Sequence, residues 1–267
     1  VSKPLSYIIT EYGARFHAKA DYVTMPTQAA IDMLAGGRDN LPDIPIVPVS
    51  NGIDLSKFKP TKASPHTYKK FNIPTDKKIV SYVGRLDAEK HVNVLINAFN
   101  EVLIRTDEPL HLVIVGFGTE EDRLQNQVYE LGIDKSVTFT SRVEDDEIVE
   151  LHKVGTVFCM PSPSELQCIS ALEAMASGKP IVAVNAGAVP ELCQNDRNGY
   201  LCEKDDVLQI AESLQKILDD DSLQKKFSKE SLAIAKTHDL QHTLKTFESI
   251  YAEVMKSKTP VVPQRLL

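Results

Sequence analysis

The sequence predicts an α/β chain built on a doubly wound parallel sheet, with a helical C-terminal end. Three observations predict it. From Ile79 on, strand-like runs at 79–83 (IVSYV), 111–115 (HLVIV), 136–139 (SVTF), 156–160 (TVFCM) and 180–184 (PIVAV) alternate with helical patterns at 92–105, 119–131, 145–153 and 169–177. The runs are apolar nearly throughout rather than at every second residue, as in strands covered on both faces by crossover helices. After Tyr200 the pattern is helical only.

Taken in order, residues 1–36 read as helix, short strand and helix. Ala20 to Met25 is a brief extended run; Pro26 or Thr27 opens a helix through Leu34 that Gly36 and Gly37 end. Ile44 to Val49 is a second extended run, interrupted by Pro45 and Pro48, and Asn51-Gly52-Ile53-Asp54 is a turn by composition. Lys57 to Lys78 is polar and holds Pro60, Pro65 and Pro74, so it reads as a connection with a short helix around His66 to Phe71. Beyond the alternating region, Val207–Leu218 and Leu223–Ala235 carry apolar residues at helical spacing. Asp239 caps a last helix bearing Leu240, Leu244, Phe247, Tyr251 and Val254. Ser257 to Leu267 shows no pattern and stays unassigned, and no repeat of fixed length is visible.

The composition, 42% hydrophobic and 25% charged over 267 residues, is that of a soluble globular chain with room for one large domain plus part of another. The chain begins at Val1 rather than Met, so a trimmed product is expected. With no apolar run of about 18 residues and no secretory signal, a cytoplasmic protein is expected. A net charge of -7 argues against a nucleic-acid or anionic-lipid surface while leaving room for a local basic pocket. Cys159, Cys168, Cys193 and Cys202 form no CxxC pair and have no His at zinc-ligand spacing, so they read as free thiols, Cys168 within a candidate site but packed and inert. Asp145-Asp146-Glu147 reads as a solvated helix start, where its charge suits the dipole, and no metal cluster emerges.

The chemistry gathers around Pro161 to Pro180 (PSPSELQCISALEAMASGKP). A loop with two prolines and two serines leads into a helix with Ile169, Leu172 and Met175 on one face, which Gly178 ends. Bare amides at such a helix start suit a diphosphate, and Glu165 and Glu173 on either side could accept hydrogen bonds from sugar hydroxyls. The alternative is a surface loop before an ordinary amphipathic helix. Ligands of open α/β sheets bind at the carboxyl ends of the strands, which draws in three more loops. In Gly84-Arg85-Leu86 with Glu89-Lys90, two basic residues around a glycine turn can reach one phosphate; a basic pair is disfavoured by a helix N-terminus, which favours a ligand over idle surface charge. Gly116-Phe117-Gly118 is either a tight turn or a cleft lining, and Glu121 stands where the third glycine of a dinucleotide fingerprint belongs, which weakens a nicotinamide-dependent oxidoreductase. In Ser141-Arg142-Val143, Arg142 either flanks a ligand or is a plain surface residue.

Glu165, seven residues, Glu173 and then AMASGKPIVAVNAGAVPEL resemble the E-x7-E signature of glycosyltransferase family 4, whose members are retaining, use nucleotide sugars and have the GT-B fold. The NGID stretch at 51–54, GRL with Glu89-Lys90, and Asn185-Ala186-Gly187 to Glu191 agree in order, so the resemblance runs over roughly residues 20 to 255. It implies a Rossmann-like, donor-binding C-terminal domain. Residues 1–48 would close an otherwise missing N-terminal acceptor domain, 49–78 would connect the domains, 79–256 would bind the nucleotide sugar, and 257–267 would be a tail. Arg85 and Lys90 would hold the donor diphosphate and stabilise the leaving group, and Glu165 would contact the sugar hydroxyls. Gly84, Gly116 and Gly118 would line the cleft, and Arg142 and Val143 would lie against the base. The amides of Gln167, Cys168, Ile169 and Ser170 would hold sugar and diphosphate, and Glu173 would bind the ribose. Leu166-Gln167-Cys168 departs from the family's Gly-Phe-Gly-like run, which bears on the identity of the sugar.

The implied activity is transfer of a hexose, with a UDP-sugar the leading donor, with retention and without metal or other cofactor. The acceptor is a lipid, a polysaccharide or a small molecule, held by the chain's own N-terminal domain; nucleic acid is not among the partners. This portion alone would bind nucleotide yet turn over little, and the missing domain could place it at the inner face of a membrane. The alternatives are a GT-B-type sugar-nucleotide epimerase or phosphorylase, or a non-catalytic nucleotide-sugar-binding module.

Overall fold

The computed structural model describes residues 19–35 and 45–258. The helix expected before Ala20 and the glycines expected to stop the next one lie outside the described residues. The chain divides into a larger compact unit, Ile53–Asp239, and a smaller one made of the segments on either side of it.

The larger unit is a six-stranded, wholly parallel sheet. Its strands are β3 (Lys78–Val83), β4 (Leu110–Val115), β5 (Val137–Phe139), β6 (Val157–Met160), β7 (Ile181–Val184) and β8 (Gly199–Cys202), in the order β5-β4-β3-β6-β7-β8. Every residue of β4, β6 and β7 is buried, which is why these strands read as apolar runs without alternation. The helices are α2 (Pro65–Lys70), α3 (Val92–Arg105), α4 (Glu121–Glu130), α5 (Asp145–Val154), α6 (Ile169–Ala176), α7 (Val189–Leu192), α8 (Val207–Asp219) and α9 (Asp221–Lys236). Helix α3 packs on α4 and α8, while α5 packs on α2 and α6, and α6 on α9, as expected of a sheet covered on both faces. Phe99, Phe158, Phe227 and Leu86 are fully buried between these layers.

Local chemistry sets the helix starts. The Ser64 hydroxyl accepts from the Thr67 amide, Asp206 from the Gln209 amide, and Asp220 from the amides of Ser222 and Leu223. Glu144 and Glu147 form a capping box at the acidic start of α5.

Strand β8 was not expected from the sequence. It has four residues, starts on a glycine and keeps Tyr200 and Leu201 only half-buried, so no apolar run announces it. It joins the sheet because Gly199 lets the backbones meet: a Cβ there would lie 1.7 Å from the Ile181 carbonyl oxygen.

The smaller unit holds β1 (Val23–Met25) and β2 (Ile46–Pro48), paired in parallel, with helices α1 (Gln28–Ala35) and α10 (Leu240–Lys258). Helix α10 runs two residues into the stretch left unassigned by the sequence. Gly52 takes φ +78°, and a Cβ there would stand 2.8 Å from the Leu240 Cα, so the Asn-Gly turn meets a steric need. The larger unit is entered at Ile53 and left at Asp239, where the Ile53 amide donates to the His238 carbonyl at 2.7 Å.

The strand order places the reversal of winding between β3 and β6. Connections from those strands leave in opposite directions, which opens a crevice at their carboxyl ends.

Candidate functional site

The loops after β3 and β4 are joined backbone to backbone. The Gly84 amide donates to Val115, the Leu86 amide to Phe117 at 2.9 Å, and the Glu120 amide returns to Leu86 at 2.8 Å. Gly116 has φ +134°, and a Cβ on it would lie 1.9 Å from the Gly84 carbonyl oxygen; one on Gly118 would lie 2.4 Å from the Leu86 backbone. The Gly-Phe-Gly run therefore answers to the close approach of two loops. Asp87 adds a stitch by accepting from the Thr119 amide and hydroxyl, both at 3.1 Å, and the amide bond holds its carboxyl below the usual range. The Tyr82 hydroxyl donates to the Arg85 carbonyl at 2.8 Å.

The structure separates the two basic residues of this loop. Arg85 is largely exposed and pairs with its neighbours Asp87 and Glu89. Lys90 instead crosses to the loop after β6, donating to Glu165 Oε1 at 2.6 Å, with only 15% and 13% of the two side chains exposed. Seventy-five positions apart in sequence, they meet at the crevice.

Helix α6 begins beside this pair. Cys168 occupies its N-cap with φ 58° and ψ 67°, the left-handed region, and makes no capping bond with its side chain. The Ala171 and Leu172 amides both return to the Cys168 carbonyl, at 3.1 and 3.2 Å. The preceding amides, of Ile169 and Ser170, stand in the first turn, where a helix offers no acceptor of its own. Burial pushes the Cys168 thiol up to about 12, so it is packed and protonated. Gln167 is buried, whereas Leu166 is exposed. Gly187, at φ +57°, would put a Cβ 2.5 Å from the Glu165 carbonyl oxygen, and the Ala188 amide donates to that oxygen at 2.9 Å. The Asn185-Ala186-Gly187 turn thus fixes the backbone that carries Glu165.

Two cavities open at the same end of the sheet. One, of about 230 Å³, is lined by Val83, Gly84, Arg85, Gly116, Phe117, Val143 and Ile148. The Arg142 guanidinium lies 4.3 Å over the Phe117 ring, which is half exposed. The other, of about 270 Å³, is lined by Lys57, Phe58, Asp145, Ile148, Val149 and Glu173. Ile148 belongs to both. Glu173 Oε2 is 3.0 Å from Nε2 of the fully buried His152.

Gly84, Arg85, Gly116 and Val143 thus share one cavity, Glu173 lines the adjoining one, and Lys90, Glu165 and the start of α6 stand together. Arg142 stands at the rim through Phe117. Sequence reasoning passed over Phe117, His152, Ile148, Lys57 and Asp87. Phe117 was within reach, since it is the central residue of a loop already singled out; His152 looks like any inward position of an amphipathic helix. Among the described residues no group of three or more His, Cys, Asp or Glu could hold a metal ion.

An apolar slot with an aromatic face suits a planar heterocycle, a carboxylate at its continuation suits a diol, and a lysine beside a helix start suits phosphate. Residues 65–233 match the family described as Glycosyl transferases group 1. A D-inositol 3-phosphate glycosyltransferase of Corynebacterium efficiens is 28% identical over 241 residues, covering 88% of this chain and 57% of the relative. The chain thus spans somewhat over half the length of such curated relatives. Among solved structures, a glycosyltransferase from Rickettsia africae superposes with a TM-score of 0.81 at 18% identity, covering 96% of this chain and 68% of that one. Anabaena HepE, solved with UDP and glucose, superposes with a TM-score of 0.78 at 22% identity, covering 95% and 68%. These likenesses show the fold, that of GT-B glycosyltransferases with Rossmann-like domains. With more than half of its length matched by the family, the chain belongs to the group 1 glycosyl transferases.

Proposed function

We propose that this chain is the donor-binding part of a retaining glycosyltransferase that moves a hexose from a UDP-sugar to an acceptor held by a preceding domain. The observation that carries the proposal is the Lys90–Glu165 pair at the uncapped start of α6, next to the cavities of Phe117 and Glu173. In this reading the base enters the apolar slot beside Phe117 and Val143, Glu173 takes the ribose hydroxyls, and the diphosphate meets the first amides of α6. The phosphate then competes with Glu165 for Lys90. Once released, the Glu165 carboxylate turns to the hydroxyls of the transferred sugar, so one ion-pair exchange loads both groups. Arg85, exposed and held only by neighbouring acids, closes onto the diphosphate and supports the charge that grows as it leaves. The leaving diphosphate, departing from the face at which the acceptor attacks, helps take the acceptor proton. Two cationic side chains and a helix start supply the neutralisation that a metal would otherwise give.

The reading is supported by the family match, by relatives named as glycosyltransferases, and by the UDP in HepE. The acceptor site is assigned to residues outside this chain, which spans 57% of the Corynebacterium relative. Residues before Ile53 would then be the last segment of the acceptor domain.

Calorimetric titration with UDP, GDP and ADP tests it. UDP should bind, GDP and ADP more weakly, and Lys90→Ala should weaken UDP by about tenfold or more through loss of a charged phosphate contact. No UDP binding at millimolar ligand would sink the proposal.

A further inference from the structure

His152 is a buried titratable residue that the reading above does not use. It lies on α5, whose acidic start lines the second cavity, and its side chain has no exposed surface. Its ring meets Phe58 edge-on at 5.7 Å and Phe158 at 5.9 Å, so two aromatic rings fix its plane. Nε2 is 3.0 Å from Glu173 Oε2, while Nδ1 is buried without a hydrogen-bond partner among the described residues. A buried imidazole left with one unmade bond in an aromatic pocket is unfavourable, and hydrophobic residues of similar size would pack there without that penalty. What the histidine gains is a single directed bond to one carboxylate.

We propose that His152 is a positioning residue for Glu173, fixing which carboxylate oxygen faces the ligand; this rests on the reading that Glu173 binds the ribose of a nucleoside diphosphate. A carboxylate oxygen accepts, so Nε2 is the nitrogen that donates to Oε2. With Oε2 engaged from within the core, Oε1 is the oxygen left for a diol in the cavity that Glu173 lines. A carboxylate tethered at one oxygen cannot rotate both away from the ligand, so the acceptor is in place before the nucleotide arrives. Phe58, which packs on the imidazole and lines the same cavity, ties that orientation to the cavity wall.

The test pairs a side chain with a ligand group. The wild-type chain should bind UDP about 10- to 100-fold more tightly than 2′,3′-dideoxy-UDP, the worth of a hydrogen bond to a charged group. His152→Phe, which suits the aromatic pocket and removes the donor, should bind UDP more weakly and lose most of that preference; its affinity for the dideoxy ligand should hardly change. His152→Gln, which offers an N–H at similar reach, should recover part of the preference. An overall weakening for both ligands with the preference intact in His152→Phe would mean a merely structural role and overturn this inference alone. If the wild type binds no UDP, the functional reading itself fails and this inference with it. Should His152→Phe not fold, imidazole 15N shifts of the wild-type chain decide: a response of His152 to UDP but not to the dideoxy ligand sustains the proposal, and equal responses overturn it.

Discussion

At the scale of single residues, the candidate site is built from side chains that hold one another, and each pair predicts an outcome. Glu165 and Lys90 are nearly buried and matched in charge. On the proposed reading phosphate competes with the carboxylate for the lysine, so Glu165→Gln removes a competitor. UDP affinity should therefore stay within about threefold of the wild type or rise, since a nearly buried ion pair gains little beyond its own desolvation and its breaking no longer opposes phosphate. On the proposed function, the same substitution in a chain that also carries the acceptor domain should reduce transfer. Glu173→Ala should weaken UDP by about 10- to 100-fold. Calorimetry on the two variants separates these roles, and equal losses would contradict them. Cys168 carries a different prediction. Burial keeps its thiol protonated, and it pushes the Cys159, Cys193 and Cys202 thiols up as well. Ellman's reagent at pH 8 should find almost no reactive thiol in the folded chain and all four after denaturation.

At the scale of elements, the loops that carry the site are shaped by backbone contact. Gly116→Ala would force a methyl group against the Gly84 carbonyl at a positive φ, and should cost at least about 2–3 kcal/mol in urea unfolding. Gly132→Ala is the control: its φ is +70° but nothing lies within 4 Å, so only the left-handed penalty of about 1 kcal/mol applies. Helix α9 depends on Asp220, which caps two amides, and Asp220→Ala should lower stability by about 1–2 kcal/mol. These elements were legible to different degrees. The amphipathic helices and the buried strands show in the sequence because burial on a 3.6-residue or all-apolar pattern leaves a trace. Strand β8 and the crossing of Lys90 to Glu165 leave none: the first is too short and half-buried, and the second joins residues with no common period.

At the scale of the whole molecule, burial of His111 makes stability depend on pH. Desolvation lowers it to about 4 from an ordinary 6.5, with Nε2 engaged to Thr138 Oγ1 at 2.9 Å. The unfolded chain therefore binds the extra proton between these values, and stability rises with pH across that window. The contribution is complete above about pH 6.5 and is lost as the pH falls toward 4, on the order of 1–3 kcal/mol. Burial lowers His238 as well, which adds in the same direction. Urea unfolding at pH 7 and pH 4.5 should show the loss, and His111→Gln should reduce it. Folding and binding are linked too: UDP at about a hundred times its Kd should raise stability by about 2.7 kcal/mol, readable as a higher melting temperature.

The sequence by itself determined the layered α/β class and the succession of strands and helices from Ile79 to Val184, and it singled out the loops proposed to bind a ligand. It could do so because hydrophobic periodicity and helix signals act over a few neighbouring residues. Tertiary structure alone decided that Lys90 pairs with Glu165, that Arg85 faces its own neighbours, that Phe117 lies under Arg142, and that His152 holds Glu173 from within the core. Lys90 with Glu165 and Arg142 with Phe117 join residues from separate strand ends, and His152 with Glu173 joins two helices. Only the order in which the strands pair, with winding reversed between β3 and β6, brings them to one crevice.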